Sequence, residues 1–127
     1  MAKKARNIAP AKGKLAVLVP GLGAVATTLI AGVEAVRRGM AKPIGSLTQM
    51  ATVRLGKRTE KRSPKINELV PLATLDDLCF GAWDVFPDDA YASATHARVL
   101  EQDLVDRLRE PLQAVKPMSA VFSPDYV

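Results

Sequence analysis

Cysteine and histidine are nearly missing from this 127-residue sequence, which has one of each, Cys79 and His96. A single cysteine excludes an intramolecular disulfide framework, and a single histidine leaves little from which to build a zinc site, so no metal is expected. Aromatic residues are scarce too, six in all, yet 48% of the chain is hydrophobic. That composition suits one modest domain with a real core and does not suit a disordered polypeptide. Acidic residues are almost absent from the first half. Residues 1–65 carry 14 Lys/Arg and two acids, Glu34 and Glu60, whereas residues 66–127 carry four Lys/Arg and 11 acids. Such a split implies two differently charged faces, or a first half built to meet an anion.

An uninterrupted membrane span is also lacking. A basic start (Lys3, Lys4, Arg6, Lys12, Lys14) precedes nineteen uncharged residues from Leu15 to Val33, which by length alone would suit a signal peptide or a span. Pro20-Gly21-Leu22-Gly23 interrupts that run, Thr27, Thr28 and three glycines dilute it, and the helical pattern continues past it into Glu34-Ala-Val-Arg-Arg. A cytoplasmic chain without a membrane segment is the expectation.

Residues 1–14 read as a basic flexible arm and residues 15–127 as one domain. Leu15-Ala-Val-Leu-Val19 is a short, partly β-branched apolar run that predicts a buried strand. Val25, Leu29, Val33 and Val36 recur at helical spacing, and Gly39 after Arg37 and Arg38 reads as a helix stop, predicting a helix over 24–38 with those valines and Leu29 as its buried stripe. Residues 40–74 are a short helix around Leu47–Leu55 or an irregular crossing, followed by six cations in twelve residues, 54–65. Such a stretch is a solvated loop unless an anion or acidic surface orders it. Leu78 to Trp83 reads as a second buried strand, with a short helix capped by Thr74 and Asp77 as the competing reading. Asp88 is the expected cap of a helix whose stripe is Leu100, Leu104 and Leu108 and which Pro111 ends. The tail has no clear period.

Gly21-Leu-Gly23-Ala-Val-Ala26 matches G-x-G-x-x-[G/A] after a strand and at the start of a helix. Gly21 permits the tight turn, Gly23 admits a pyrophosphate to the backbone, and Ala26 lets helix and strand pack. The acid usually found about twenty residues on is missing, since residues 39–47 contain none. Arg37, Arg38 or Lys42 could instead meet a 2′-phosphate, though cations at a helix end ordinarily serve its dipole. Asp84, at the end of the second strand, is either the ribose partner at the carboxyl edge of a parallel sheet or a turn cap. His96 reads as a surface residue, Cys79 as a buried small hydrophobe, Trp83 as a core anchor, and Asp76-Asp77 as a cap pair. No nucleophile–base constellation is visible, so no catalytic residue is assigned. The fold class is α/β, a partial Rossmann-like dinucleotide-binding domain with parallel strands and crossover helices.

The stretch Leu15–Arg38, the segment Leu55-Gly-Lys-Arg-Thr-Glu-Lys-Arg-Ser-Pro and the string Leu75-Asp-Asp-Leu-Cys-Phe-Gly-Ala-Trp-Asp-Val-Phe together resemble the amino-terminal part of bacterial myo-inositol-1-phosphate synthase (inositol-3-phosphate synthase). The resemblance implies an NAD-dependent isomerase of inositol and phospholipid biosynthesis that converts glucose 6-phosphate to 1L-myo-inositol 1-phosphate. It also implies a homo-tetramer. By the match, Gly21, Gly23, Ala24 and Val25 lie under the NAD pyrophosphate and Asp84 contacts the adenosine side. The family's Gly-x-Gly-Gly-Asn-Asn-Gly is replaced here by Gly-Leu-Gly-Ala-Val-Ala-Thr, so contacts fall to the backbone and to Thr27 or Thr28. The family's lysine-rich catalytic centre lies beyond the matched region, as a truncated product or partial sequence would have it. Two other classes stand beside this reading. A small basic nucleic-acid-binding protein would use the arm and residues 54–65, without aromatics interleaved among the cations. An inert structural fragment would associate through an unpaired sheet edge.

Overall fold

A computed structural model describes residues 9–10 and 12–120. Most of the expected basic arm, including Lys3, Lys4 and Arg6, lies outside the described residues. The chain opens as strand β1 (Leu15–Pro20), a glycine turn and helix α1 (Ala24–Arg37). Gly39, at φ 68°, ends that helix in the left-handed region that glycine alone enters freely. Strand β2 (Leu78–Asp84) pairs parallel with β1, from Leu15↔Leu78 to Pro20↔Trp83. The competing helix at Thr74 is a single 3-10 turn, Leu75–Asp77, leading into β2. Thr74 Oγ1 bonds Asp77 Oδ2 at 2.8 Å there. Lys14 Nζ donates to the Asp76 carbonyl at 2.8 Å and fastens this turn to the start of β1.

A third strand, β3 (Pro117–Ser119), pairs parallel with β2 and gives the order β1-β2-β3. The sequence shows no period in this tail, because three residues are too few to alternate visibly. Pro117 stands at the strand's first position, where proline is tolerated. Between β2 and β3 run α4 (Ala90–Ala97), α5 (Gln102–Arg107) and α6 (Arg109–Gln113); α2 (Leu47–Met50) and α3 (Ile66–Leu69) lie between α1 and β2. Because the strand order advances in one direction, right-handed crossovers place both helical layers on the same face. Accordingly α1 packs on α4 and α6.

That one-sided arrangement changes which residues are buried. The core joins Leu22, Ile30, Ala31 and Ala35 with Ala82 of β2, Ala90 and Ala94 of α4, and Val105, Leu108 and Leu112. The expected stripe on α1 is wrong at its start, since Val25 is 87% exposed and Leu29 is 49% exposed. Alanines let α1 approach α4 closely, so the buried face runs through Ala26, Ile30 and Ala35 instead. The strands are likewise covered on one face only. Val19, Phe80 and Ala82 meet the helices, while Leu18 and Met118 on the opposite face are largely exposed. Cys79 is exposed, against the expectation of burial. Trp83 is half-buried and is not part of the core cluster. Both alternate with Phe80 and Ala82 along β2 and so fall on the uncovered side. No helix of the described residues is long and apolar enough to cross a membrane.

The second helical region corrects three further expectations. Asp89, not Asp88, caps α4, accepting the Ala92 N–H at 2.9 Å. The single helix expected up to Pro111 is three. Arg98 adopts φ 51° and ends α4, after which α5 and α6 fold back beside it. Tyr91 Oη donates to Asp106 Oδ1 and accepts from Arg109, each at 2.7 Å. Pro111 sits in the first turn of α6, where its missing N–H has no intrahelical partner to lose. Residues 51–66 form a ladder, with the Val53 N–H on the Pro64 carbonyl and the Leu55 N–H on the Arg62 carbonyl, both at 2.9 Å. The basic stretch is therefore an exposed hairpin with defined pairing.

Candidate functional site

The chain leaves β1 at Gly21 with φ 102°, a conformation L side chains rarely adopt. Its N–H donates to the Trp83 carbonyl at 2.7 Å, holding the turn against the neighbouring strand. Leu22 drops into the core at 2% exposure. Gly23 then caps α1 in an extended conformation without a side-chain cap. The first intrahelical bond at this end runs from the Thr27 N–H to the Gly23 carbonyl at 3.0 Å. The N–H groups of Ala24, Val25 and Ala26 therefore point out of the helix start. A Cβ built on Gly23 meets no heavy atom within 4 Å, so the space over the turn is open and a side chain there would occupy it. Val25 points its side chain to solvent and offers only its N–H.

Asp84 stands at the carboxyl end of β2 beside this turn. Its Oδ2 accepts the Leu22 N–H at 2.6 Å and its Oδ1 accepts the Phe86 N–H at 3.0 Å. These bonds, that from Phe86 foremost and that from Leu22 next, hold its carboxyl below the ordinary carboxylate range. The carboxylate thus joins the two loops at the sheet edge and remains ionised. Of the two sequence readings of Asp84, these bonds make it a turn cap, and its carboxylate oxygens retain further lone pairs.

Residues 40–74 lie between the end of α1 and the turn that leads into β2. This excursion makes Asp84, at the end of the second strand, distant along the chain from the glycine turn yet bonded to it in space. Arg37 is not placed to meet a 2′-phosphate. Its guanidinium donates to the Leu75 carbonyl at 2.8 Å and to that of Leu78, pairs with Glu34, and lies 6.0 Å from the Phe80 ring centroid. Arg38 faces Glu110 at 3.7 Å. Both are at the far end of α1 from the glycine turn. Thr27 is buried, with Oγ1 donating to the Gly23 and Ala24 carbonyls at 3.0 and 3.2 Å. Thr28 spends its hydroxyl on the Ala24 carbonyl at 2.7 Å.

A cleft of about 460 Å³ lies over the turn, lined by Gly23 and Ala24 on one side and by Asp84 and Phe86 on another. Its third wall is the Asp88, Ser93 and His96 side of α4. His96 is exposed, as expected of a surface residue, and lies 3.7 Å from Asp88, which does not cap α4. The spacing of Ser93, His96 and Ala97 on one helical face was the signal available for this wall. The arrangement provides main-chain donors and a helix dipole for an anion, next to a carboxylate acceptor for hydroxyls. Among the described residues no group of three or more His, Cys, Asp or Glu could hold a metal ion.

Comparison with known proteins places this geometry in context. Residues 15–127 match a family model of an NAD-binding domain described as myo-inositol-1-phosphate synthase. An inositol-3-phosphate synthase of Bacteroides thetaiotaomicron is 50% identical over 118 residues, covering 92% of this chain and 27% of that protein. One from Oryza sativa subsp. japonica is 36% identical, covering 90% of this chain and 25% of that protein. A crystal structure of inositol-3-phosphate synthase from Caenorhabditis elegans superposes with a TM-score of 0.75 at 26% identity, over 90% of this chain and 25% of that one. The chain spans about a quarter of the length of these relatives.

Proposed function

The chain belongs to the myo-inositol-1-phosphate synthase family, and from that premise we propose that it supplies NAD binding to an inositol-3-phosphate synthase acting on glucose 6-phosphate. The observation that carries the reading is the open glycine turn clamped beside Asp84. The outward N–H groups of Ala24 and Val25 hold the diphosphate, Gly21 shapes the turn, and Gly23 keeps it approachable. Asp84 accepts the hydroxyls of the adenosine ribose. When bound, NAD supplies reversible hydride transfer, so that oxidation and later reduction of the sugar leave no net redox change.

In this reading residues 15–127 act as the NAD-binding Rossmann-like unit, and the residues that act on the sugar come from the part of the family's chain not matched here. A homo-oligomer and a cytoplasmic setting accompany that reading. The test is a thermal-shift titration of the chain with NAD and, separately, with NADP. A stabilisation by NAD that exceeds that by NADP is expected, because Asp84 repels a 2′-phosphate. A folded sample indifferent to NAD would overturn the proposal.

A further inference from the structure

Among the described residues, the lining of the cleft over the glycine turn contains no lysine or arginine. Its charged or titratable groups are Asp84, Asp88 and His96. The main-chain donors and helix end offer a diphosphate about half an elementary charge, and a cationic side chain in the lining would add to it. Among the described residues, the one lining side chain able to carry a full positive charge is His96, which α4 presents beside Ser93. Its Nδ1 lies 3.7 Å from Asp88 Oδ2, and its side chain is 76% exposed. A protonated imidazole donates from both nitrogens, so Asp88 can orient the ring through Nδ1 while Nε2 serves a second acceptor. The start of α1 brings only uncharged groups to this cleft, and Arg98 and Glu101 line with His96 a second cleft rather than this one.

Resting on the reading that this cleft holds NAD, we propose that His96 is a binding residue for the NAD diphosphate and acts in its protonated form. The diphosphate of NAD is a diester and keeps its charge across the range in which histidines titrate. Binding should therefore tighten as pH falls. An exposed charge pair of this kind changes affinity about two- to fivefold.

Two measurements on the full chain test it. Calorimetric titration with NAD from about pH 8 to about pH 5.5, a range that brackets ordinary histidine protonation, should show that gain for the native chain. His96→Gln should bind with no such dependence, and His96→Lys should bind tightly throughout. Because the chain has one histidine, its ring resonances are unambiguous in NMR. NAD should raise their titration midpoint by the logarithm of the same factor, about 0.3–0.7 in pH. That second readout needs no variant. NAD binding with a flat pH profile, or an unmoved His96 midpoint in the NAD-bound chain, overturns the role of His96 and leaves the NAD reading intact. Absence of any NAD binding by the folded native chain removes both.

Discussion

At Gly21 and Gly23 the same missing side chain answers two different needs. Gly21 is required by its backbone, at φ 102°, and a β-branched residue there costs roughly 1–2 kcal/mol. Gly23 has an ordinary φ of −90° and empty space where its Cβ would stand. Gly23→Val should therefore cost the free chain less than about 1 kcal/mol and yet abolish the thermal shift with NAD. Gly21→Val should lower the melting temperature with or without the ligand. Differential scanning fluorimetry separates the two. Asp84 adds a pH signature. Its carboxyl is held below the ordinary 3.8 by the Phe86 and Leu22 N–H groups, so the folded chain releases that proton more readily than the unfolded one. The stabilisation is complete above about pH 3.8 and disappears as pH falls through the lower native value. Asp84→Asn should be less stable than the native chain at neutral pH, with the gap closing in acid unfolding experiments. Asp106, lowered chiefly by the Tyr91 hydroxyl, has the same sign and leaves the variant some acid sensitivity.

At the scale of elements, β1, the turn and α1 were legible because their signals are local: an apolar run, glycines and a helical period. The buried side of α1 was not, since Val25 and Ile30 are equally apolar and only the position of α4 distinguishes them. Ile30 is fully buried and Val25 is 87% exposed. Ile30→Ala should cost about 2–4 kcal/mol in denaturant unfolding, whereas Val25→Ala should stay within about 0.5 kcal/mol. Equal effects would contradict the packing described. The division of residues 90–113 into three helices escaped the sequence for a similar reason. The Tyr91–Asp106–Arg109 cluster that holds them folded spans fifteen to eighteen positions, beyond any helical period. Cys79 and Trp83 were misplaced because an apolar run does not say whether one or both faces of its strand are covered.

For the molecule as a whole, the parallel order β1-β2-β3 with helices on one face leaves Leu18 and Met118 exposed, at 56% and 49%. Cys79 lies on the same uncovered face, and among the described residues β1 has a neighbour on one edge only. Bare apolar faces and unpaired edges favour association. The isolated chain should self-associate with rising concentration, and Leu18→Lys should reduce that in light scattering while leaving the melting temperature nearly unchanged. The charge split persists in the fold as well. Among the described residues, the hairpin cations Arg54, Lys57, Arg58, Lys61, Arg62 and Lys65 make no ion pair.

The sequence by itself determined the strand–glycine turn–helix opening, the second strand and the carboxylate that ends it, because each is encoded by neighbours along the chain. Tertiary structure alone decided that Asp84 stands against the Leu22 N–H, that His96 and Asp88 form a wall of the same cleft, and that only one sheet face is covered. Those outcomes depend on strand order and on the packing of α4 against α1. They join groups dozens of residues apart, and no pattern within a local window specifies such a meeting.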